Sequence, residues 1–276
     1  MPCLLKRSSA ESAIRKEGHV IKILAIGDIV GEASSAALRK KLWGIRDLLG
    51  ADAVIANGEN ASSGNGLSPF DAEMLLQCGV DVITSGNHIW KKNDIKAFLD
   101  SNNKVLRPAN YPSLCPGNGY TVMDSNGFRI LVVNLMGTVY MESLACPFDT
   151  LEGILRREEG NYDLSVIDFH AEATSEKLAL AYEFDGRVTA VVGTHTHVQT
   201  ADARVLPKGT AFITDLGMCG PVDGILGVRK EEVISKFRTK MPVRFAAASG
   251  SILLCGAVIE SNNNAKVSIE AIQMDL

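Results

Sequence analysis

No two cysteines in this chain form a C-x-x-C pair. The six (Cys3, Cys78, Cys115, Cys146, Cys219 and Cys255) are scattered singly. That scatter argues against a disulfide framework and suits reduced thiols in a cytoplasm. No apolar run is long enough to span a bilayer. Neither sign of charge prevails: 28 Lys and Arg against 32 Asp and Glu leave a net charge of −4, which excludes a general nucleic-acid or membrane surface. Aromatics make up only 6% of the chain, and no basic groove with interleaved aromatics is visible, so stable binding of a nucleic-acid strand is not expected. The first twenty residues mix acidic and basic groups without a continuous apolar stretch, so they do not read as a signal peptide. Residues 1–20 read as a loosely ordered extension. No Pro-, Gly-, Ser- or charge-rich linker divides residues 21–276, which read as one domain.

What is present is 46% hydrophobic, enough for a sizeable core. Short β-branched runs begin at Ile21, Ala53, Asp81, Phe128, Leu164, Val188, Gly209, Ser251 and Lys266, and read as strands, several of them buried. Between them, Leu38, Leu42, Ile45 and Leu49 recur at helical spacing. A second helix opens with Ser68 as N-cap and Pro69 behind it, and ends before Gly79. Further helices are expected near Asn93, Thr150, Thr174 and Lys230. Strand and helix alternate early and strand dominates late, which predicts an α/β fold of stacked mixed sheets flanked by helices.

The predicted strands share a peculiarity at their carboxyl ends. They finish on Asp28, on Glu59 and Asn60, on Asn87 and His88, on His170, and on His195 and His197. In open α/β sheets ligands bind at that edge. A glycine precedes Asp28, Glu59 and Asn87, allowing a sharp turn or a close approach to an ion. The chain has five histidines, two of them in "GTHTH". If that segment is extended, His195 and His197 face the same side. Imidazoles with oxygen donors and no thiolate point to iron, manganese or zinc, and this donor set can supply two ions if one carboxylate bridges. Two divalent ions less the charges of Asp28, Glu59 and a hydroxide leave about +1, a fit for a phosphodiester monoanion.

The strings "GD" (Gly27–Asp28), "NGEN" (Asn57–Asn60), "GNH" (Gly86–His88) and "GTHTH" (Gly193–His197) resemble the motifs of the calcineurin-like metallophosphoesterases. "RPAN" (Arg107–Asn110), "DFHAEATSEK" (Asp168–Lys177), "GTHTHVQTAD" (Gly193–Asp202) and "ITDLGMCGP" (Ile213–Pro221) are similar to the YmdB-type bacterial branch. The resemblance runs from about Ile21 to the C-terminus. It implies a four-layer α-β-β-α sandwich of two mixed sheets and a dinuclear centre, iron in the first place with manganese as the alternative. It implies hydrolysis of small phosphodiesters, namely 2′,3′-cyclic nucleotides, through a hydroxide shared by the metals. Asp28, Glu59, Asn60 and His197 would surround one ion, with Glu59 bridging to a second held by Asn87, His170 and His195. His88 would be the acid that protonates the leaving oxygen. No organic cofactor or membrane is implied, and a homo-oligomer is compatible with it. Val30 stands where the wider superfamily carries a metal-binding histidine, and Lys91 where the branch carries an acidic residue.

Several residues have a second reading. Asn60 can stabilise a turn through side-chain-to-backbone bonds, and His88 can be structural. Glu172 and Thr174 read as helix-starting residues, Cys219 as a packed residue in a loop after a strand, His19 as solvated, and Lys91 and Lys92 as an exposed face. A metal-dependent amide or ester hydrolase would use similar ligands. A regulatory protein with a relic site would have little reason to keep so many buried polar groups.

Overall fold

Side-chain alternation along β1 (Val20–Ile26) sets the layering. Ile21, Ile23 and Ala25 enter one hydrophobic cluster, while Leu24 and Ile26 enter another on the opposite face. Neighbouring β3 (Ala53–Asn57) repeats the division, with Ala53 and Ile55 on one side and Val54 and Ala56 on the other. Both strands are therefore covered on both faces and read as continuous apolar runs. The computed structural model describes residues 20–262 and 266–276. Most of the extension expected at residues 1–20, with Cys3 and His19, lies outside the described residues.

With strands numbered in chain order, one sheet is β2-β11-β12-β1-β3-β4, with β13 also paired to β12. Its further members are β2 (Asp28–Ile29), β4 (Val82–Thr84), β11 (Met218–Pro221), β12 (Ile252–Asn262) and β13 (Val267–Asp275). The second sheet is β5-β6-β7-β8-β10-β9. It comprises β5 (Tyr120–Ser125), β6 (Phe128–Met136), β7 (Leu164–His170), β8 (Ala190–Thr194), β9 (Arg204–Val205) and β10 (Ala211–Ile213). Parallel and antiparallel neighbours occur in both, so both are mixed.

Three apolar interfaces define four layers. Between the sheets, Ile21, Ile23 and Ile55 meet Ile130, Val132 and Val166. Outside the first sheet lie α1 (Gly31–Leu49), α2 (Pro69–Gln77) and α3 (Ile95–Ser101), which bury Leu38, Leu42, Leu75 and Leu99 against it. Outside the second, α4 (Pro147–Arg157) and α5 (Thr174–Glu183) contribute Leu151, Ile154 and Leu180. The expected α-β-β-α sandwich is the observed one. A last helix, α6 (Lys230–Thr239), precedes β12 and buries Val233.

Ser68 caps α2 by accepting the Asp71 N–H at 3.1 Å, with Pro69 at the first turn as expected. Two helix starts move. α4 begins at Pro147, not near Thr150, because a proline supplies a helical φ where no N–H bond is required. A short 3₁₀ turn, Ile89–Lys91, delays α3 to Ile95. Strands β2, β5, β9 and β11 were not anticipated. Two are only two residues long, β5 is an edge strand, and β11 contains the glycine and proline that ordinarily punctuate a loop. Cys219 therefore lies within a strand, fully buried, and not in a loop.

Candidate metal centre

Both sheets direct their carboxyl ends to one place. The chain passes from β1 through Gly27 to Asp28, and from β3 through Gly58 to Glu59 and Asn60. After β4 come Gly86, Asn87 and His88; β7 ends on His170, and β8 leads into His195 and His197. The structure brings all eight of these polar residues together.

Four donor atoms converge around His170. Its Nε2 is 3.0 Å from Asn87 Oδ1, 3.1 Å from His195 Nδ1 and 3.3 Å from Glu59 Oε2. Atoms that each lie about 2.1 Å from a shared ion are separated from one another by roughly 3.0–3.4 Å. The spacing is that of ligands around a cation. A second group is looser. Asn60 Nδ2 is 2.8 Å from Glu59 Oε1 and 3.4 Å from His197 Nε2. Asp28 Oδ1 lies 4.0 Å from His197 Nε2 and 3.8 Å from His170 Nδ1. Glu59 thus turns one carboxylate oxygen to each group.

Asp28 gives an independent sign that a cation fits here. Its Oδ2 accepts the His195 N–H at 3.0 Å, but its Oδ1 is buried with no hydrogen-bond partner among the described residues. Buried acceptors are rarely left so. Burial, and then the neighbouring Glu59 carboxylate, push the Asp28 carboxyl well above its ordinary range. Burial also lowers His170 to about 3, and lowers His195 and His197. These imidazoles are neutral at pH 7, the form that ligates metal. Burial alone would raise Glu59; His170 and the bonds from His88 outweigh it and hold the carboxyl at about 2.

The local backbone explains how so many polar atoms approach each other. A Cβ on Gly86 would lie 2.3 Å from His170 Nε2 and 2.5 Å from Glu59 Oε2, so only glycine leaves room for the cluster. The three glycines preceding Asp28, Glu59 and Asn87 serve close approach, not left-handed turns, since none has a positive φ. His195 and His197, in contrast, have φ of 104° and 64°. β8 has already ended at Thr194. They do not share the face of an extended strand, and it is a strained loop that directs each ring inward.

Residues that sequence reasoning did not assign hold this arrangement. Thr194 Oγ1 donates to Asp168 at 2.7 Å and so accepts from His170 Nδ1 at 2.9 Å, leaving His170 Nε2 free to ligate. Thr84 and Asn57 also donate to Asp168, whose buried carboxyl is pushed up to about 6. Beneath the histidine loop, Asp215 accepts from Lys177 Nζ at 2.7 Å and from the Thr196 N–H at 3.1 Å. Asp168, Lys177 and Asp215 all fall inside the long strings quoted above, so the signal lay in those strings and not in any spacing rule.

Three expectations change in detail. Asn60 is more than a turn former: its side chain contacts Glu59, His88 and His197. It offers Nδ2 to the second group, so ligation through Oδ1 requires its amide to turn over. Glu172 does not cap α5, whose N-cap is Ala173; its Oε2 lies 3.2 Å from His195 Nε2. His88 Nδ1 sits 2.8 Å from Asn60 Oδ1 and 3.1 Å from Glu59 Oε1, and its backbone N–H donates to Glu59 Oε2 at 3.0 Å. Glu59 Oε1 beside Nδ1 draws a proton there, and among the described residues no hydrogen bond engages Nε2. Lys91 is exposed, and Lys92 donates to the Ser63 carbonyl. A cavity of about 840 Å³ opens beside Asn60, His88 and His197.

Residues 24–272 match the family model described as YmdB-like protein. The chain belongs to this family. It is 45% identical over 250 residues to the Bacillus subtilis 2′,3′-cyclic-nucleotide 2′-phosphodiesterase, covering 91% of this chain and 95% of that one. Among solved structures, a Thermus thermophilus hypothetical protein superposes with a TM-score of 0.87 at 39% identity, covering 92% and 99% of the two chains. A structure described as a novel phosphatase from Mycoplasma pneumoniae gives 0.86 at 36%, covering 93% and 94%. The YmdB-like fold here is the metallophosphoesterase sandwich, with the candidate centre at its carboxyl edge.

Proposed function

We propose that the protein is a dinuclear-metal phosphodiesterase that opens 2′,3′-cyclic nucleotides. The observation that carries this reading is Glu59, which faces a separate donor cluster with each oxygen while Asp28 Oδ1 beside it has no hydrogen-bond partner among the described residues. In the proposal, Asn87, His170 and His195 hold one ion, Asp28, Asn60 and His197 hold the other, and Glu59 serves both. Iron is the first choice and manganese the alternative, for imidazole and oxygen donors without thiolate suit either. When bound, such ions supply charge for the phosphate oxygens and make water nucleophilic at neutral pH. His88, held at Nδ1 by Glu59, lines the cavity and in its doubly protonated form delivers from Nε2 the proton that the departing ribose oxygen needs. Similarity to the B. subtilis enzyme supports the substrate class and the 2′ bond as the one broken.

The test combines composition with rate. Protein purified without added metal is analysed for bound elements, then loaded with iron or manganese. It is then assayed on 2′,3′-cyclic AMP, 3′,5′-cyclic AMP and a single-stranded oligonucleotide. Close to two metal ions per chain and preference for the 2′,3′-cyclic substrate are expected. Fewer than one ion after loading overturns the metal assignment, and a faster oligonucleotide rate overturns the substrate.

A further inference from the structure

The cavity beside His88 is far larger than a phosphate requires. At about 840 Å³ it is of the size that takes a whole small-molecule ligand. Its near wall carries Asn60, His88 and His197. Another part of its wall is the segment leading into β12, where Arg244 and Phe245 precede a run of three alanines. Phe245 is 51% exposed and belongs to none of the apolar clusters. Among the described residues, no hydrogen bond or ion pair engages the Arg244 guanidinium.

This wall is fixed in place although it is neither helix nor extended strand. The Arg229 N–H donates to the Ala246 carbonyl at 3.1 Å, and the Ala248 N–H donates to the Gly227 carbonyl at 2.9 Å. Ala247 also forms a bridge to Val228. A pinned backbone that presents an unpacked aromatic ring and a free planar cation is a stacking platform. Every nucleobase has a π-face that such a platform accepts, and guanidinium planes stack on bases as well.

We propose that Arg244 and Phe245 form the base-binding wall of this site. The Phe245 ring stacks on the nucleobase, and the guanidinium covers its edge, while the phosphate end of the nucleotide points towards His88. The inference rests on the phosphodiesterase reading for its catalytic consequence, but base binding itself does not depend on turnover. A base-specific wall also separates nucleotides from other small cyclic phosphodiesters that the reacting groups alone would treat alike.

Two measurements test it. The first compares kcat/KM for 2′,3′-cyclic AMP with that for glycerol 1,2-cyclic phosphate, which keeps the five-membered phosphodiester but lacks a base. Stacking of one base is worth roughly 5- to 100-fold in affinity. Phe245→Ala is expected to lower the nucleotide-to-glycerol ratio about tenfold, and Phe245→Trp to keep it. The second uses Phe245→Trp as a reporter: added AMP should quench its indole emission in a saturable way, relative to the unsubstituted protein. An unchanged ratio in Phe245→Ala, or indole emission indifferent to AMP, overturns the wall. If the metal-loaded protein cleaves neither cyclic substrate, the catalytic reading has failed, and the emission titration alone still decides base binding.

Discussion

Lys177 Nζ lies 2.7 Å from Asp215 Oδ2, and both side chains are completely buried. The pair sits directly under the loop of His195 and His197, because the same Asp215 oxygen accepts the N–H of Thr196 between them. A positive charge held there secures a backbone whose flanking residues both have positive φ. Removing one partner of a buried pair typically costs about 3–5 kcal/mol, since the other charge is left uncompensated. Lys177→Met is therefore expected to lower the melting temperature and to loosen the metal proposed at His195 and His197. Calorimetric melting, with metal titration of the folded fraction, checks both. A variant that melts lower but binds metal as before would make the pair a fold element only.

Gly86→Ala tests the close approach at the cluster. The added methyl would overlap His170 and Glu59, so the two donors must separate. Circular dichroism should stay near that of the parent, while elemental analysis shows loss of at least one ion per chain. Full metal content in the folded variant contradicts the geometry.

Glu59 and Asn60 should differ in reach. Glu59→Ala removes contacts to both donor groups and is expected to reduce occupancy at both. Asn60→Ala touches one group and should lower the metal content by at most one ion. Stoichiometric titration followed by mass spectrometry under native conditions reads the difference.

The pH dependence of metal binding has a definite sign. The Asp28 carboxyl is raised by burial and by Glu59, so the metal-free protein retains a proton there over a range of pH where an ordinary carboxyl is ionised. His170, His195 and His197 are lowered and contribute no proton near neutrality. A cation must displace the Asp28 proton, so affinity rises with pH until that carboxyl ionises unaided. Calorimetric titration in buffers of different ionisation enthalpy should show proton release within that range, and Asp28→Asn should abolish it.

His88→Ala separates proton delivery from metal holding. The expected result is unchanged metal content with turnover lowered roughly 10²–10⁴-fold. The loss should shrink on a p-nitrophenyl phosphodiester, whose leaving group needs little protonation. Equal losses on both substrates would give His88 a positioning role.

Much of this architecture was legible because its strands are short, apolar and covered on both sides. The runs at Ile21, Ala53 and Phe128 could hardly be anything else, and their polar last residues did mark the edge where the donors meet. The shape of the histidine loop is not legible for a physical reason: a period-two argument assumes extended backbone, whereas His195 and His197 have positive φ and Thr196 between them is anchored to Asp215, 19 residues on. Strand β11 was invisible because its pairing to β2 and β12 depends on residues far along the chain. The supporting roles of Asp168 and Lys177 follow from burial, which a lone charged letter does not disclose. Glu172 looked like helix punctuation because its contact with His195 exists only after folding.

Strand β12 pairs with β1, β11 and β13, and β11 in turn pairs with β2, where Asp28 aligns with Met218. The N–H groups of Gly27 and Asp28 thus donate to the carbonyls of Cys255 and Gly217, roughly two hundred positions later. During synthesis, the amino-terminal donors emerge early, but their ties to Gly217, Cys219 and β12 wait for segments about two hundred positions later. A nascent chain arrested before β12 should therefore bind metal poorly even though every proposed ligand has already been translated. On the proposed centre, metal uptake would wait for β12 and β13, which contribute no ligand.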